Sequence, residues 1–335
     1  MKGYLKYYGS KVAWYILTFF CALLLNFLLP RMMPGNPIAT LVGNATAGVT
    51  DSSAVEKIQE EYTARFGLDK SYPEQFVVYI GNLLKGDMGV SFRFYPREVS
   101  DIIGSAVIWT LALQIPAILV GWFLGNLLGA LAAYVRRGFD KVLMPLFMFI
   151  SNLPAFGMAY ILLWFFAYQS KILPQGGGYG FDLIPNFSWE FISSVILHYQ
   201  LPFISVVLIT IGGQAIGMRS MSIYELNADY VKYSRFLGIK DHKIVGYVFR
   251  NAMLPQITGL ALSLGTMIGG NLVAEMVFNY PGLGNALFAA INGRDYPLLS
   301  GCTLIITIMV LVANLAIEIL YGLIDPRVKA NQMEA

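Results

Sequence analysis

Six long stretches of this 335-residue chain contain no Asp, Glu, Lys or Arg: Val12–Pro30, Ile102–Val135, Val142–Ser170, Phe191–Met218, Asn251–Ala274 and Tyr296–Ile317. A helix needs about 20 apolar residues to cross a hydrocarbon core of about 30 Å. Each stretch is therefore read as one membrane-spanning helix. A further uncharged run, Met276–Gly293, contains Pro281-Gly282 and Gly284. These residues break helices, so the run predicts a turn and a short helix at the membrane surface. Composition agrees: 56% of residues are hydrophobic and 13% charged, where a soluble domain carries about 25% charge. This excludes a water-soluble enzyme, a disordered chain and a nucleic-acid-binding protein. The net charge of +3 is too small to signal a polyanionic partner.

The basic residues orient the spans. Segments 1–11, 135–141, 219–250 and 319–335 hold three, three, six and two of the 23 Lys and Arg residues, while 171–190 and 275–295 hold one each; the remaining seven lie in 31–101, a segment too long for charge bias to govern. Cytoplasmic loops carry the excess of Lys and Arg. The sequence thus predicts an all-α, multi-pass protein of the cell membrane with six transmembrane helices and both termini cytoplasmic. Residues 1–31 supply the N-terminus and first helix, 32–101 a small extracytoplasmic subdomain, and 102–335 a five-helix core with an inner loop at 219–250. The first span is longer than a signal-peptide core, and Pro30-Arg31-Met32-Met33-Pro34 follows it rather than a small-residue cleavage site.

Within 32–101, Asp51–Phe66 predicts an amphipathic helix with Val55, Ile58 and Tyr62 on one face, and Tyr72-Pro73 opens a second, shorter helix. Gly176-Gly177-Gly178-Tyr179-Gly180 reads as a flexible loop. No Gly-Lys-Ser/Thr follows it, so it is no phosphate cradle. Cys21 and Cys302 are expected as small buried hydrophobes. With His198 and His242 far apart, no metal-ligand cluster and no catalytic constellation can be drawn.

The inner segment Met221–Arg250 is far longer than a simple connection of a few residues. It reads as two short helices around Gly238, over Ala228–Phe236 and Asp241–Phe249. Tyr230, Tyr233 and Leu237 share one face of the first and Asp229, Lys232 and Arg235 another, while Ile244, Val245 and Val248 point inward from the second. Gly238 permits positive φ or close backbone approach where the helices meet. Both charge signs and exposed tyrosines suit docking to a soluble partner. The alternative, a helix afloat among anionic headgroups, is weakened by Glu225, Asp229 and Asp241.

Asp229-Tyr230-Val231-Lys232-Tyr233-Ser234-Arg235 with Gly238, followed by Arg250-Asn251-Ala252-Met253-Leu254-Pro255, resembles the inner-loop signature of binding-protein-dependent ABC importer permeases. The resemblance is to the peptide/nickel branch, in the subunit type with a large first outer loop, and it covers nearly the whole chain. Met33-Pro34-Gly35-Asn36-Pro37, Phe66-Gly67-Leu68-Asp69, Gly86-Asp87-Met88-Gly89 with Ser91, Glu275, Pro281-Gly282-Leu283-Gly284, Asp295-Tyr296-Pro297 and Asp325-Pro326-Arg327 also match. Lys232-Tyr233-Ser234 departs from the usual small residues.

The resemblance implies that Asp229, Tyr230, Lys232, Tyr233, Ser234, Arg235, Gly238, Arg250 and Asn251 form the ATPase-coupling surface. It implies partners: a second homologous permease subunit, two ATP-binding subunits carrying ATP and magnesium, and an extracytoplasmic substrate-binding protein. The chain itself would be no enzyme and hold no cofactor. The cargo would be an oligopeptide, or nearly equally an oligosaccharide, then nickel. Intramembrane polar groups are the default pathway candidates; here they are Gln214, Asn271 and Glu275, with a helix–helix polar contact, or for Glu275 a carboxylate reaching the outer interface, as the alternative role. An intramembrane enzyme would need paired aspartates or a Ser/His pair within the spans, and a secondary transporter inverted repeats; neither is seen.

Overall fold

The computed structural model describes residues 2–32, 38, 41–43, 46, 52–135, 138–270 and 272–324. Among its described residues the regular structure is helical, apart from one isolated antiparallel bridge between Val90 and Glu98. In chain order the helices are α1 (Lys2–Met32), α2 (Ser52–Arg65), α3 (Tyr72–Leu83), α4 (Val99–Val135), α5 (Gly138–Asn152), α6 (Ala155–Leu162), α7 (Trp189–Leu226), α8 (Asp229–Phe236), α9 (Asp241–Gly270), α10 (Leu272–Val277), α11 (Leu283–Gly293) and α12 (Tyr296–Ile324). A π-helix, Leu163–Gln169, continues α6.

Among the described residues, four helices are long and apolar enough to cross a membrane: Val12–Met32, Val99–Val135, Trp189–Leu226 and Tyr296–Ala316. A fifth is added if the bent pair Asp140–Asn152 and Ala155–Gln169 counts as one span. The third apolar stretch is therefore not one straight helix. It turns through 106° at Leu153-Pro154, where proline supplies no N–H and disfavours helical backbone in the residue before it. The fifth stretch differs too. The short helix expected over Asp241–Phe249 and the span expected from Asn251 are one continuous helix, α9, with Pro255 inside it. The turn and short helix expected in Met276–Gly293 are present, the helix being α11.

The chain divides into two compact units, one of Met1–Trp109 with Gly282–Val312, the other of Thr110–Pro281 with Ala313–Lys329. In the first, Ile38, Leu41, Val42, Phe92 and Tyr296 form a buried cluster against which Val55 and Tyr62 of the expected amphipathic face pack, together with Phe66 and Tyr95. Phe27 of α1 meets Phe76 and Tyr79 of α3 at 5.0 and 5.6 Å between ring centroids. Asp295 is fully buried. Its Oδ2 accepts from the Ser91 hydroxyl and, at 3.0 Å, from the Arg93 N–H, while its Oδ1 accepts from the Leu298 N–H at 3.1 Å. Two signature pieces far apart in sequence thus close on one carboxylate.

In the second unit α4 lies tightly on α7. Gly121, Gly125 and Gly129 face it at four-residue spacing, and a Cβ on Gly129 would stand 2.3 Å from the Ala215 carbonyl oxygen. Such small-residue faces let helix backbones approach without lipid between them. The glycine-rich loop is tied down rather than loose. The Gly177 N–H donates to Phe278 O at 2.9 Å, and the Gly180 N–H to Ser194 Oγ at 2.9 Å. A Cβ on Gly176 would meet Phe278 O at 2.4 Å. Cys302 is buried as expected, but Cys21 is exposed on α1.

Candidate functional site

α7 has 38 residues, about 57 Å at 1.5 Å per residue, well beyond the thickness of a hydrocarbon core. Its C-terminal turns therefore reach past the apolar region and carry the next element. Near this end Arg219 holds Asp140 of α5 through two hydrogen bonds, Nε to Oδ1 and Nη2 to Oδ2, both 2.5 Å. The bidentate geometry fixes α5 against α7 where the charged segment begins.

After Asn227 and an extended Ala228, α8 runs from Asp229 to Phe236. It ends in a Schellman arrangement. The Ile239 N–H donates to Ser234 O and the Gly238 N–H to Arg235 O, both 3.0 Å, and Gly238 has φ +70°. A left-handed residue at this position closes the helix and favours glycine. α9 then starts at Asp241, so the polypeptide makes a knuckle: end of α7, α8, turn, start of α9.

One small core holds the knuckle. Val231, Ile244 and Val248 are buried together, with Leu226, Tyr230 and Ile239 packed around them. Ile244 and Val248 were expected inward and are, while Val245, also expected inward, is only partly buried and outside this cluster; Val231 was not singled out, although it is the residue that pins α8. Its signal was available, since an aliphatic residue among Asp, Lys, Ser and Arg on a two-turn helix has little else to do. The Tyr230 hydroxyl donates to Glu225 Oε2 at 2.8 Å. Burial first, and this bond second, push the Tyr230 phenol above its ordinary pKa. Asn251 Nδ2 also donates to Glu225 Oε2, at 3.5 Å. Glu225 thus joins α8 to α9 and brings Tyr230 and Asn251 together.

The remaining expected residues face outward. Lys232 pairs with Asp229 at 2.9 Å, and Arg235 approaches Asp241 at 4.0 Å. Such exposed pairs are worth little stability. Tyr233 and Arg250 are exposed and Ser234 is partly exposed. Sequence reasoning passed over Phe236, which is 86% exposed, and left Leu237, at 79%, on the same footing as Tyr230. Together with Tyr233 they give the knuckle an apolar, solvent-facing tip, the usual mark of a protein contact. Nothing in this arrangement activates a nucleophile or a proton; it can dock and transmit force.

The pathway candidates lie elsewhere in this unit. Gln214 is partly exposed, and its Cβ sits at the crossing of α7 with Gly125 of α4. Glu275 is fully buried in the short α10, so its carboxylate is not turned out to the surface. Asn271 lies outside the described residues, as do Met33-Pro34-Gly35-Asn36-Pro37 and Asp325-Pro326-Arg327. A further polar residue was overlooked: Gln114 of α4 is fully buried, and neither side-chain polar atom has a partner among the described residues.

Residues 125–330 match the model of the family described as binding-protein-dependent transport system inner membrane component. The chain is 30% identical over 327 residues to the glutathione transport system permease protein GsiC of Escherichia coli, covering 97% of this chain and 99% of that one. It is 29% identical over 341 residues to the di/tripeptide transport system permease protein DppB of Pseudomonas aeruginosa, with the same coverage. A Brucella ovis relative with the provisional name of a peptide permease is 32% identical over 311 residues, 91% of this chain and 93% of its own. With the knuckle on the matched segment and the likeness running over nearly the full length, the chain belongs to the family of inner membrane components of binding-protein-dependent transport systems.

Proposed function

We propose that this chain is the permease subunit of an ATP-driven importer of oligopeptides. The observation that carries the reading is the apolar tip of α8, held out by a buried anchor at Val231. In this reading the chain crosses the membrane six times, through α1, α4, the bent α5–α6 pair, α7, α9 and α12. Both termini are cytoplasmic, and the α2–α3 segment lies outside. A second, homologous permease subunit completes the pore, two ATPase subunits dock on the α8 knuckles, and an extracytoplasmic binding protein delivers the cargo. ATP and magnesium belong to the ATPase subunits, since the sequence has no Gly-rich loop ending in Gly-Lys-Ser/Thr. The names of the relatives support a peptide cargo rather than a sugar.

The mechanism is a population shift. ATP binds the closed ATPase pair better than the open one, and that differential affinity is the only energy available to bias the pore. α8 is the receiver. Because α7 and α9 enter it directly, displacement of the tip moves two long helices as a body, a rigid-body transition rather than a loop rearrangement.

The test truncates the tip without touching its anchor. Phe236→Ala with Leu237→Ala removes only exposed side chains, so the chain reaches the membrane at normal level. Peptide-stimulated ATPase activity of the complex falls at least about tenfold, as for a central contact in an interface. Unchanged stimulation refutes docking at α8. Thermal shift of the cognate binding protein with peptide and oligosaccharide panels checks the cargo; a response to sugars alone refutes the peptide reading.

A further inference from the structure

The first unit contains a cavity of about 300 Å³ that the transport reading does not use. Four charged side chains line it, Arg31, Arg65, Lys70 and Asp87, a surplus of two positive charges. Asp87 is engaged locally, its Oδ1 accepting from the Gly89 N–H at 2.7 Å. Arg31 is held by neutral oxygens. Its Nε donates to Gln75 Oε1 and its Nη1 to Phe27 O, both at 2.9 Å, and its guanidinium lies 3.7 Å over the Phe27 ring. No carboxylate pairs with Arg31 among the described residues. A half-buried guanidinium in a fixed orientation, with ring and amide holding it, is built to receive an anion. The Tyr79 hydroxyl beside the cavity is buried and has no partner among the described residues.

Depth identifies the anion. Arg31 sits in the last turn of the apolar span Val12–Met32, and Tyr296 and Ser300, which also line the cavity, lie in the first turns of the span Tyr296–Ala316. In the six-span arrangement proposed above, on which this placement rests, the cavity lies where two spans reach the membrane surface, at the level of lipid headgroups. Its volume of about 300 Å³ is at the lower end for small-molecule pockets and leaves room for part of a headgroup beside a phosphate. Phe66 and Val78 add apolar wall. We propose that this cavity binds the phosphate of an anionic phospholipid headgroup, with Arg31 as the fixed cation and the exposed Lys70 and Arg65 closing over the mouth.

The experiment is native mass spectrometry of the full transporter complex carrying this chain, exchanged into micelles with phosphatidylglycerol or phosphatidylcholine. The wild type retains phosphatidylglycerol preferentially. Because Arg31 also holds Gln75, Arg31→Gln is accompanied by Lys70→Gln and Arg65→Gln, which change exposed side chains only. Each neutralised charge weakens phosphatidylglycerol retention about fivefold. Equal retention by wild type and all three variants overturns the proposal, as does equal retention of phosphatidylcholine. Displacement of the lipid by millimolar glycerol 3-phosphate, with the same dependence on Arg31 and Lys70, overturns the lipid source in favour of a soluble phosphate.

Discussion

Tyr79 illustrates how a single residue can carry both packing and charge. Its ring rests on Phe27, and burial pushes its phenol up to about 12, partly opposed by the nearby Arg31. An unfolded tyrosine titrates near about 10. The folded state therefore holds the proton more tightly, so this contribution is intact below about pH 10 and is lost as pH rises towards 12. In alkaline melts of the purified complex, Tyr79→Phe is expected to lose less stability than wild type between those limits. Parallel loss in the two proteins counts against a buried phenol. Gly238 shows the complementary case of a backbone requirement. At φ +70° nothing crowds its absent Cβ, so it is kept for conformation and not for space. Its role was readable from the sequence because helix, glycine and helix follow one another within a dozen residues. The acceptor role of Asp295 was not, because its partners Ser91 and Arg93 are 204 and 202 residues away.

At the scale of elements, what was legible depended on period and on polarity. α2, α3 and α8 carry alternating apolar and polar faces, so both limits of α2 and α8 and the start of α3 fall within a residue or two of expectation. Uniformly apolar segments carry no such register. The 106° bend at Pro154, the π-helix after Leu162 and the passage of α9 through Pro255 all lie in such segments, where one proline breaks a helix and another is absorbed. Membrane helices tolerate the second case because neighbouring groups re-satisfy the freed backbone. The stripe Gly121, Gly125, Gly129 was present in the sequence at four-residue spacing and marks the face of α4 that lies on α7. Gly129→Ala forces a Cβ within 2.3 Å of a backbone oxygen, so the helices must separate. It should destabilise the complex by about 1–3 kcal/mol, the usual cost of overpacking. Gly213→Ala, on α7 with nothing within 4 Å, should be neutral or stabilise by up to about 1 kcal/mol, as expected when glycine leaves a helix interior. Thermal melts of the two variants side by side distinguish close packing from a general intolerance of substitution.

For the whole molecule, the distribution of Lys and Arg motivates the proposed sidedness. The knuckle segment 219–250 holds six basic residues and 171–190 one, the bias from which the proposed topology takes a cytoplasmic α8 turn and an outer α2–α3 segment. The prediction is direct. In whole cells, a membrane-impermeant maleimide labels Glu60→Cys on the exposed face of α2, whereas Lys240→Cys beside the α8 turn reacts only after permeabilisation. The native Cys21 is replaced by Ala as background control. The reverse pattern inverts the topology and removes the ATPase-docking role from α8. Function was more legible than architecture. The basic residues of the inner loop 219–250 carry the family signature and the proposed docking surface, whereas the apolar majority constrains little beyond length.

The Asp295 knot also sets an order in time. Ser91 and Arg93 are synthesised early, and the carboxylate that satisfies them comes 204 and 202 residues later. At about 5–20 residues per second, the ribosome takes roughly ten to forty seconds to supply it. Throughout that interval the nascent segment after α1 has left the ribosome without its central acceptor. Its final folding waits for the last helix, so a chain truncated before Asp295 would present quality-control proteases with an unfinished segment rather than a shorter working protein.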